Sequence, residues 1–390
     1  MVLEREMEEE DEDDDESMLR KEEEVIGSNN KKDTAPPLPL WGREMMVEEV
    51  ARVLNHGDLR AKIEAARDVR RLVRKSSSTN SKSAVRCRFA AAGVIEPLVS
   101  MLHNSLPLAA REAALLALLN LAARNQRNKT RIVTAGAITP LVELLKYQTD
   151  NLRELSAAAI LSLSSVSSNK PTIVSSGASV LLVQVLCTGS VQGQVDAITA
   201  LYNLSTSEDE PKLNLDAKAV PPLIKLLKEC KKYSKFAEKT TSLLEIFSGS
   251  EEGRNAITNV DGGILALVET VEDGSSISMC HAVGTLLSLC KSSREKYRPL
   301  ILKEGAIPGL LRLTAEGSLT AQDRARALLD LLRDSPPEKR MLTSSELERI
   351  VYDFAAHIDG TDRAVETAKK LLRDMDQKKM EMSLRSKRDK

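Results

Sequence analysis

AGVIEPLVSML at residues 92–102, AGAITPLVELL at 135–145 and SGASVLLVQVL at 176–186 are three versions of one phrase. Looser copies follow at 217–227 (AKAVPPLIKLL), 261–271 (DGGILALVETV) and 304–314 (EGAIPGLLRLT). Their anchors, Gly93, Gly136, Gly177, Lys218, Gly262 and Gly305, stand 43, 41, 41, 44 and 43 residues apart. A second landmark keeps the same beat. It is an apolar run broken by one polar residue, as in ALLALLNLA at 114–122 and AITALYNLS at 197–205. The polar position falls at Asn120, Ser162, Asn203, Glu245, Ser288 and Asp330, with spacings of 42, 41, 42, 43 and 42. A fixed period in the forties belongs to helical solenoids or to propellers. Propeller blades need alternating strands, and these runs do not alternate, so the repeat is helical.

The repeat has a physical reading. Glycine opens the phrase where a turn needs positive φ or a close approach. Pro97, Pro140, Pro222 and Pro308 sit where the first turn of a helix tolerates a missing N–H. The LVxLL spacing then gives that helix one apolar face. The second landmark is apolar on nearly every side, and such a helix must be buried on several faces. One repeat cannot cover it, but stacked neighbours can. An earlier unit fits residues 44–92, with MMVEEVARVL as one helix, LRAKIEAARDVRRLVRK as the next, and SSSTNSKS (76–83) as a loop. Near the far end, SSELERIVYDFAAHI and DRAVETAKKLLRDM are more evenly amphipathic and are expected to cap the stack with a polar outer face.

The expected architecture is all-α, a solenoid of about seven repeats plus a capping unit over residues 41–374. An acidic, Pro-containing tail at 1–40 and a basic tail at 375–390 flank it, both expected to be disordered.

Composition agrees with this. The chain of 390 residues holds 55 Leu and 39 Ala but only 10 aromatics. That inventory favours helices and argues against an all-β fold or a binder that stacks bases on aromatic platforms. Five cysteines, with no CxxC pair, make neither a disulfide framework nor a zinc site. The acidic N-terminus is not that of a secretory signal. The longest uncharged stretch, Pro171 to Val195, has an apolar part of eight residues, Val180 to Cys187, against the roughly 20 that span a membrane. A reducing compartment, cytoplasmic and/or nuclear, is expected. The net charge of −1 hides an asymmetry: residues 1–24 hold 14 Asp/Glu against three Lys/Arg, so the remainder is strongly basic.

NLAARNQRNKTRIVTAGAITPLVELL (120–145) and LSLSSVSSNKPTIVSSGASVLLVQVL (161–186) share a finer order: a polar-Leu helix end, a loop with Asn-Lys (Asn128–Lys129, Asn169–Lys170), an Ile, then the glycine phrase. In that order they resemble armadillo repeats, in particular the armadillo region of plant U-box/armadillo proteins. The resemblance covers about 330 residues and loosens later, since 217–227 lacks the Gly and 262–271 lacks the Asn-Lys loop. It implies a right-handed superhelix whose concave groove, lined by the last helix of each repeat, binds proteins. Ubiquitin ligases of that family carry a U-box ahead of the repeats. Here about 40 acidic and Pro-rich residues precede the first helix, with no Cys-Pro-Ile-type segment, so the chain resembles a member with repeats only.

No catalytic constellation emerges. His56, His103, His281 and His357 lack the partners of a metalloprotease or a nucleophile triad. Cys280 and His281 are adjacent, but neighbouring helix positions do not converge. No cofactor, metal or small-molecule substrate is expected. The resemblance instead points the polar landmarks Asn120, Ser162, Asn203, Glu245, Ser288 and Asp330 into the groove. Importin-type carriers pair Asn there with Trp four residues earlier. Here those earlier positions hold Leu116, Ala158, Thr199, Thr241, Gly284 and Arg326, which argues against an import carrier. For Asn120 and Asn203, local capping is an equal alternative.

The first repeat is different. Arg60, Arg67, Arg71 and Arg74 cluster opposite Ile63, Ala66, Val69, Leu72 and Val73, and residues 60–88 carry ten Lys/Arg against two acids. This is either an ordinary solvated face or a site for an acidic partner, since arginine suits bidentate capture of carboxylate or phosphate. Acidic lipid or nucleic acid is a weaker alternative, because no aromatics accompany the patch. The chain's own acidic run at 4–16 is within tethered reach of it. Ser77, three residues after Arg74, is a candidate phosphosite. The expected function is a non-enzymatic scaffold binding partner proteins along the groove, in signalling or ubiquitin-linked regulation. The alternative is an accessory subunit of a ubiquitin ligase acting in trans.

Overall fold

The computed structural model describes residues 40–75, 79–147, 151–206, 215–333, 351–352, 368–370 and 373. All regular structure among them is helical, and it divides into two compact units between Asp261 and Gly262. The tail at 1–39, Ser77, most of the expected capping unit and the tail at 375–390 lie outside the described residues.

The first unit opens with a helix pair, α1 (Leu40–His56) and α2 (Leu59–Arg74). Asp58 caps α2 by accepting the Ala61 N–H at 2.8 Å, as a short acidic side chain at that position should. Three-part repeats follow. The first is α3 (Thr79–Ala91), α4 (Ile95–Ser100) and α5 (Leu108–Ala122). The second is α6 (Gln126–Thr134), α7 (Ile138–Leu145) and α8 (Asn151–Ser164). The third begins with a 3-10 turn, Ser167–Asn169, and holds α9 (Lys170–Ser175), α10 (Ala178–Thr188) and α11 (Val191–Ser205). The fourth begins with the 3-10 turn Ala217–Ala219 and holds α12 (Val220–Glu229) and α13 (Lys235–Ser248), after which α14 (Glu251–Asn259) ends the unit. The second unit contains α15 (Gly263–Asp273), α16 (Ser276–Ser292), α17 (Arg294–Lys303), α18 (Ile307–Glu316) and α19 (Leu319–Leu332).

The apolar landmark is the inner layer. In the first unit α5 packs between α2 and α8, with α3, α4 and α6 closing the other sides. It is therefore buried on most sides, although Ala109, Glu112 and Leu116 stay partly open, and Leu118 is 3% exposed. The same holds for α11, held by α8, α10 and α13, where Leu201 is 0% exposed. In the second unit α16 is packed by α15, α17 and α19.

The five anchor glycines all take positive φ, between 68° and 87°. Gly136 shows why: at φ 87° an L side chain is strained although the space around it is open. Where Lys218 replaces glycine, the Ala217–Ala219 turn makes the corner instead. The Asp216 carboxylate accepts the Lys218 N–H at 2.9 Å and holds that turn.

Two loop expectations are corrected. Thr79–Ser83 of SSSTNSKS is helical, the start of α3. Ser, Thr and Asn are good residues for a helix start, and the helix they begin carries Val85, Phe89 and Ala90 into the core. The Asn-Lys element is helical too, and it ties repeats together. Asn128 and Asn169 turn inward and donate to the carbonyls of Leu121 and Leu163 at 2.9 and 3.0 Å, satisfying groups left over at helix ends. Lys129 and Lys170, 5% and 9% exposed, reach one repeat forward. Their ammonium groups bond the hydroxyls of Ser165 and Thr206, each at 3.0 Å. Those residues follow the C-termini of α8 and α11, where a cation also meets the negative end of the helix dipole.

A third periodic feature stands at the helix starts. Ser190, Ser234, Ser275 and Ser318 each accept a backbone N–H three residues on, capping α11, α13, α16 and α19. Among the described residues no single helix is long and apolar enough to cross a membrane.

Candidate functional site

An open cavity of about 640 Å³ lies in the first unit between α2 and α5. Arg67, Arg70, Arg71, Arg74 and Lys75 line one wall. Ala109, Glu112, Ala113 and Leu116 line the other. Both walls follow from helical spacing. Positions 67, 70, 71 and 74 fall on one stripe of α2, while Ala65, Ala66, Val69 and Val73 face the core. Opposite them, Ala109 and Ala113 are one turn apart on α5. Their methyl groups fill little of the space, so the long guanidinium side chains have room.

The electrostatics are one-sided. Five of the lining side chains are cationic and one, Glu112, is acidic. That carboxylate accepts a hydrogen bond from Asn151 Nδ2 at 3.1 Å. Arg67 pairs with Glu64 at 2.5 Å, and Arg71 pairs with Asp68. These pairs join residues three apart on one helix, and both arginine side chains are more than half exposed. Exposed pairs of this kind are worth about 0–1 kcal/mol, so an incoming anion can exchange with them.

The structure thus brings Arg67, Arg71 and Arg74 together, as the sequence pattern implied. It adds Arg70 and Lys75, which the pattern did not single out, and it leaves Arg60 outside the lining. Arg70 was legible, since it stands three residues after Arg67 and four before Arg74. The α5 wall was not, because only the fold sets two alanines opposite an arginine stripe.

The polar landmarks do not form an open ladder. Asn120 is 1% exposed, and its Nδ2 donates to the Leu116 carbonyl of its own helix at 2.8 Å. Its Oδ1 is buried and without a hydrogen-bond partner. The Ser162 hydroxyl is buried in the same state. Asn203 is half-buried and donates to Ser164 Oγ at 3.2 Å. Glu245 is also half-buried. In the second unit Ser288 is half-buried, and Asp330 is exposed, 3.6 Å from Arg333. Asn120 and Asn203 are thus bonded inside the stack, which fits the capping alternative.

Burial pushes the thiols of Cys230 and Cys290 up to about 11. Partial burial, with Asp216 nearby, also raises Cys187. Among the described residues no three His, Cys, Asp or Glu side chains are grouped to hold a metal ion.

Short helices in a repeating order, an inner layer of largely buried helices, and a charged recess between α2 and α5 define a helical-repeat fold of the protein-interaction class. The family model described as the plant U-box protein ARM repeat region matches residues 156–352. That is half of the chain, and the chain belongs to this family. It is 30% identical over 246 residues to U-box domain-containing protein 45 of Arabidopsis thaliana, covering 62% of this chain and 31% of that protein. It is 31% identical over 331 residues to U-box domain-containing protein 17 of the same plant, covering 73% of this chain and 43% of that one. The chain therefore spans less than half the length of either relative. Among solved structures, an engineered protein aligns over 85% of this chain and 99% of its own at 21% identity, with a TM-score of 0.48. The arginine stripe lies N-terminal to the residues that the family model matches.

Proposed function

We propose that this chain is a non-enzymatic scaffold that captures acidic segments of partner proteins, with the cavity between α2 and α5 as the anchor. The observation that carries the reading is the cavity wall: four arginines and a lysine facing a single carboxylate. Arginine forks match carboxylates in pairs, which gives geometry as well as charge. A nucleic-acid partner fits less well, since no aromatic side chain lines the recess to stack a base. Membership of a protein-interaction family supports a protein partner. Five free cysteines support a reducing compartment, cytoplasm or nucleus.

The test is fluorescence anisotropy with a Glu/Asp-rich peptide, a Lys-rich control, and the variant Arg71→Glu/Arg74→Glu. The acidic peptide should bind, and charge reversal should weaken it by about tenfold or more, because breaking charge-assisted bonds costs on that order. Equal binding by wild type and variant would sink the reading.

A second reading has its own support. Both relatives are named for a U-box domain. On this reading the chain presents its captured partner to a ubiquitin ligase acting in trans. Reconstitution with a U-box ligase would decide it: ubiquitin transfer to the partner should depend on this chain, and transfer that is equal without it rejects the role.

A further inference from the structure

Resting on that reading, we infer that in the free chain the basic cavity is occupied by the chain's own acidic run, residues 4–16, which an acidic partner must displace. Three observations converge on this. The first is charge. Residues 4–16 contain eleven acids and one Arg, while the cavity lining holds five cations and one carboxylate, with Glu64 and Asp68 pairing weakly from beside it. No other stretch of the chain has such an acid density.

The second is where the run is attached. α1 and α2 pack against each other and are joined only by Gly57 and Asp58. A link that short folds two helices back on one another. The C-terminal half of α2, which carries Arg67 to Arg74, therefore comes beside the start of α1, where the N-terminal segment joins.

The third is tether length. Residues 17–39 separate the run from α1. A segment of 23 residues, taken as a random coil, spans roughly 25–30 Å on average, the order of one helix length. Such a tether holds its ligand at an effective concentration that reaches about millimolar. Individual exposed pairs are weak and screened by salt, so occupancy comes from the number of charges and the tether. It is partial, and it falls as ionic strength rises.

The experiment uses the full chain and a full-length variant in which the nine acids of residues 8–16 are changed to their amides. First, a carbodiimide joins carboxylates to amines at zero length. At low ionic strength the Lys75 amine should crosslink to residues 4–16 in wild type. The crosslink should vanish in about 1 M salt, where the Debye length is about 3 Å. Crosslinks that join isotopically heavy to light chains, rather than forming within one chain, would overturn the tethered occupancy. Second, the amide variant should bind the external acidic peptide about tenfold more tightly, as expected if the tether's effective concentration is about ten times the run's own dissociation constant. Unchanged affinity, with binding intact, overturns the occupancy and leaves the cavity as a binding site. Loss of peptide binding in both chains rejects the binding site itself.

Discussion

At the scale of single residues, position decides chemistry. Cys230 and Cys290 are ordinary thiols in sequence, yet burial raises both to about 11. At neutral pH they stay protonated, and the thiol is the unreactive form. Alkylation of the native protein followed by mass spectrometry should therefore modify exposed Cys87 first and leave Cys230 and Cys290 to the slow phase set by local opening. Early labelling of Cys290 would contradict the burial. The sign of the linkage is fixed as well. A folded value above the ordinary 9.0 means that the unfolded chain loses its proton first. The stability these thiols contribute is complete below pH 9 and is lost as pH climbs through about 11. Replacing both with Ala should make denaturation midpoints fall less steeply with pH in that window. Lys170 runs the other way, since burial lowers its value and its cost is relieved as pH rises toward 10.5. The periodic Asn-Lys pair was visible in the sequence, but its role was not. The hydroxyl that Lys129 reaches stands 36 residues away, and nothing local in the sequence points to it.

At the scale of helices, the inner layer and the corners make different demands. Leu118 and Leu201 are themselves buried, in helices covered on most sides, so truncation to Ala should cost about 2–5 kcal/mol through lost burial and a residual cavity. A loss below about 1 kcal/mol in urea denaturation would mean that these helices are not the middle layer. Glycine corners separate two kinds of cost. Gly136→Ala adds a methyl group into open space at φ 87°, so it should cost roughly 1–2 kcal/mol of backbone strain. Gly253 has no such φ, but a methyl group there would sit 2.0 Å from the Phe247 carbonyl oxygen. Since the backbone of α14 must move to admit it, Gly253→Ala should lower the midpoint more than Gly136→Ala. The reverse order would show that the close approach relaxes freely. The anchor glycines were legible because they recur. Gly253 was not, because its constraint is a neighbouring carbonyl rather than a pattern.

At the scale of the molecule, the period of 41–44 residues made the architecture readable, because each repeat must solve the same burial problem with the same apolar positions. The candidate site was half readable for the converse reason. It occurs once, and only its α2 wall carries a sequence signature. The same logic predicts how damage spreads. In a stack of repeats each unit rests on its nearest neighbours, and stability is close to a sum of local terms. α5 packs on α2, α3, α4, α6 and α8. A cavity made by Leu118→Ala should therefore speed amide hydrogen exchange in those helices. It should leave α16, α17 and α19 of the second unit close to their wild-type protection. Local opening of this kind is what exchange resolves and a single melting temperature does not. If the variant instead loses protection uniformly across both units, the stack behaves as one cooperative body. Its neighbours would then be coupled far more strongly than contact between adjacent repeats allows.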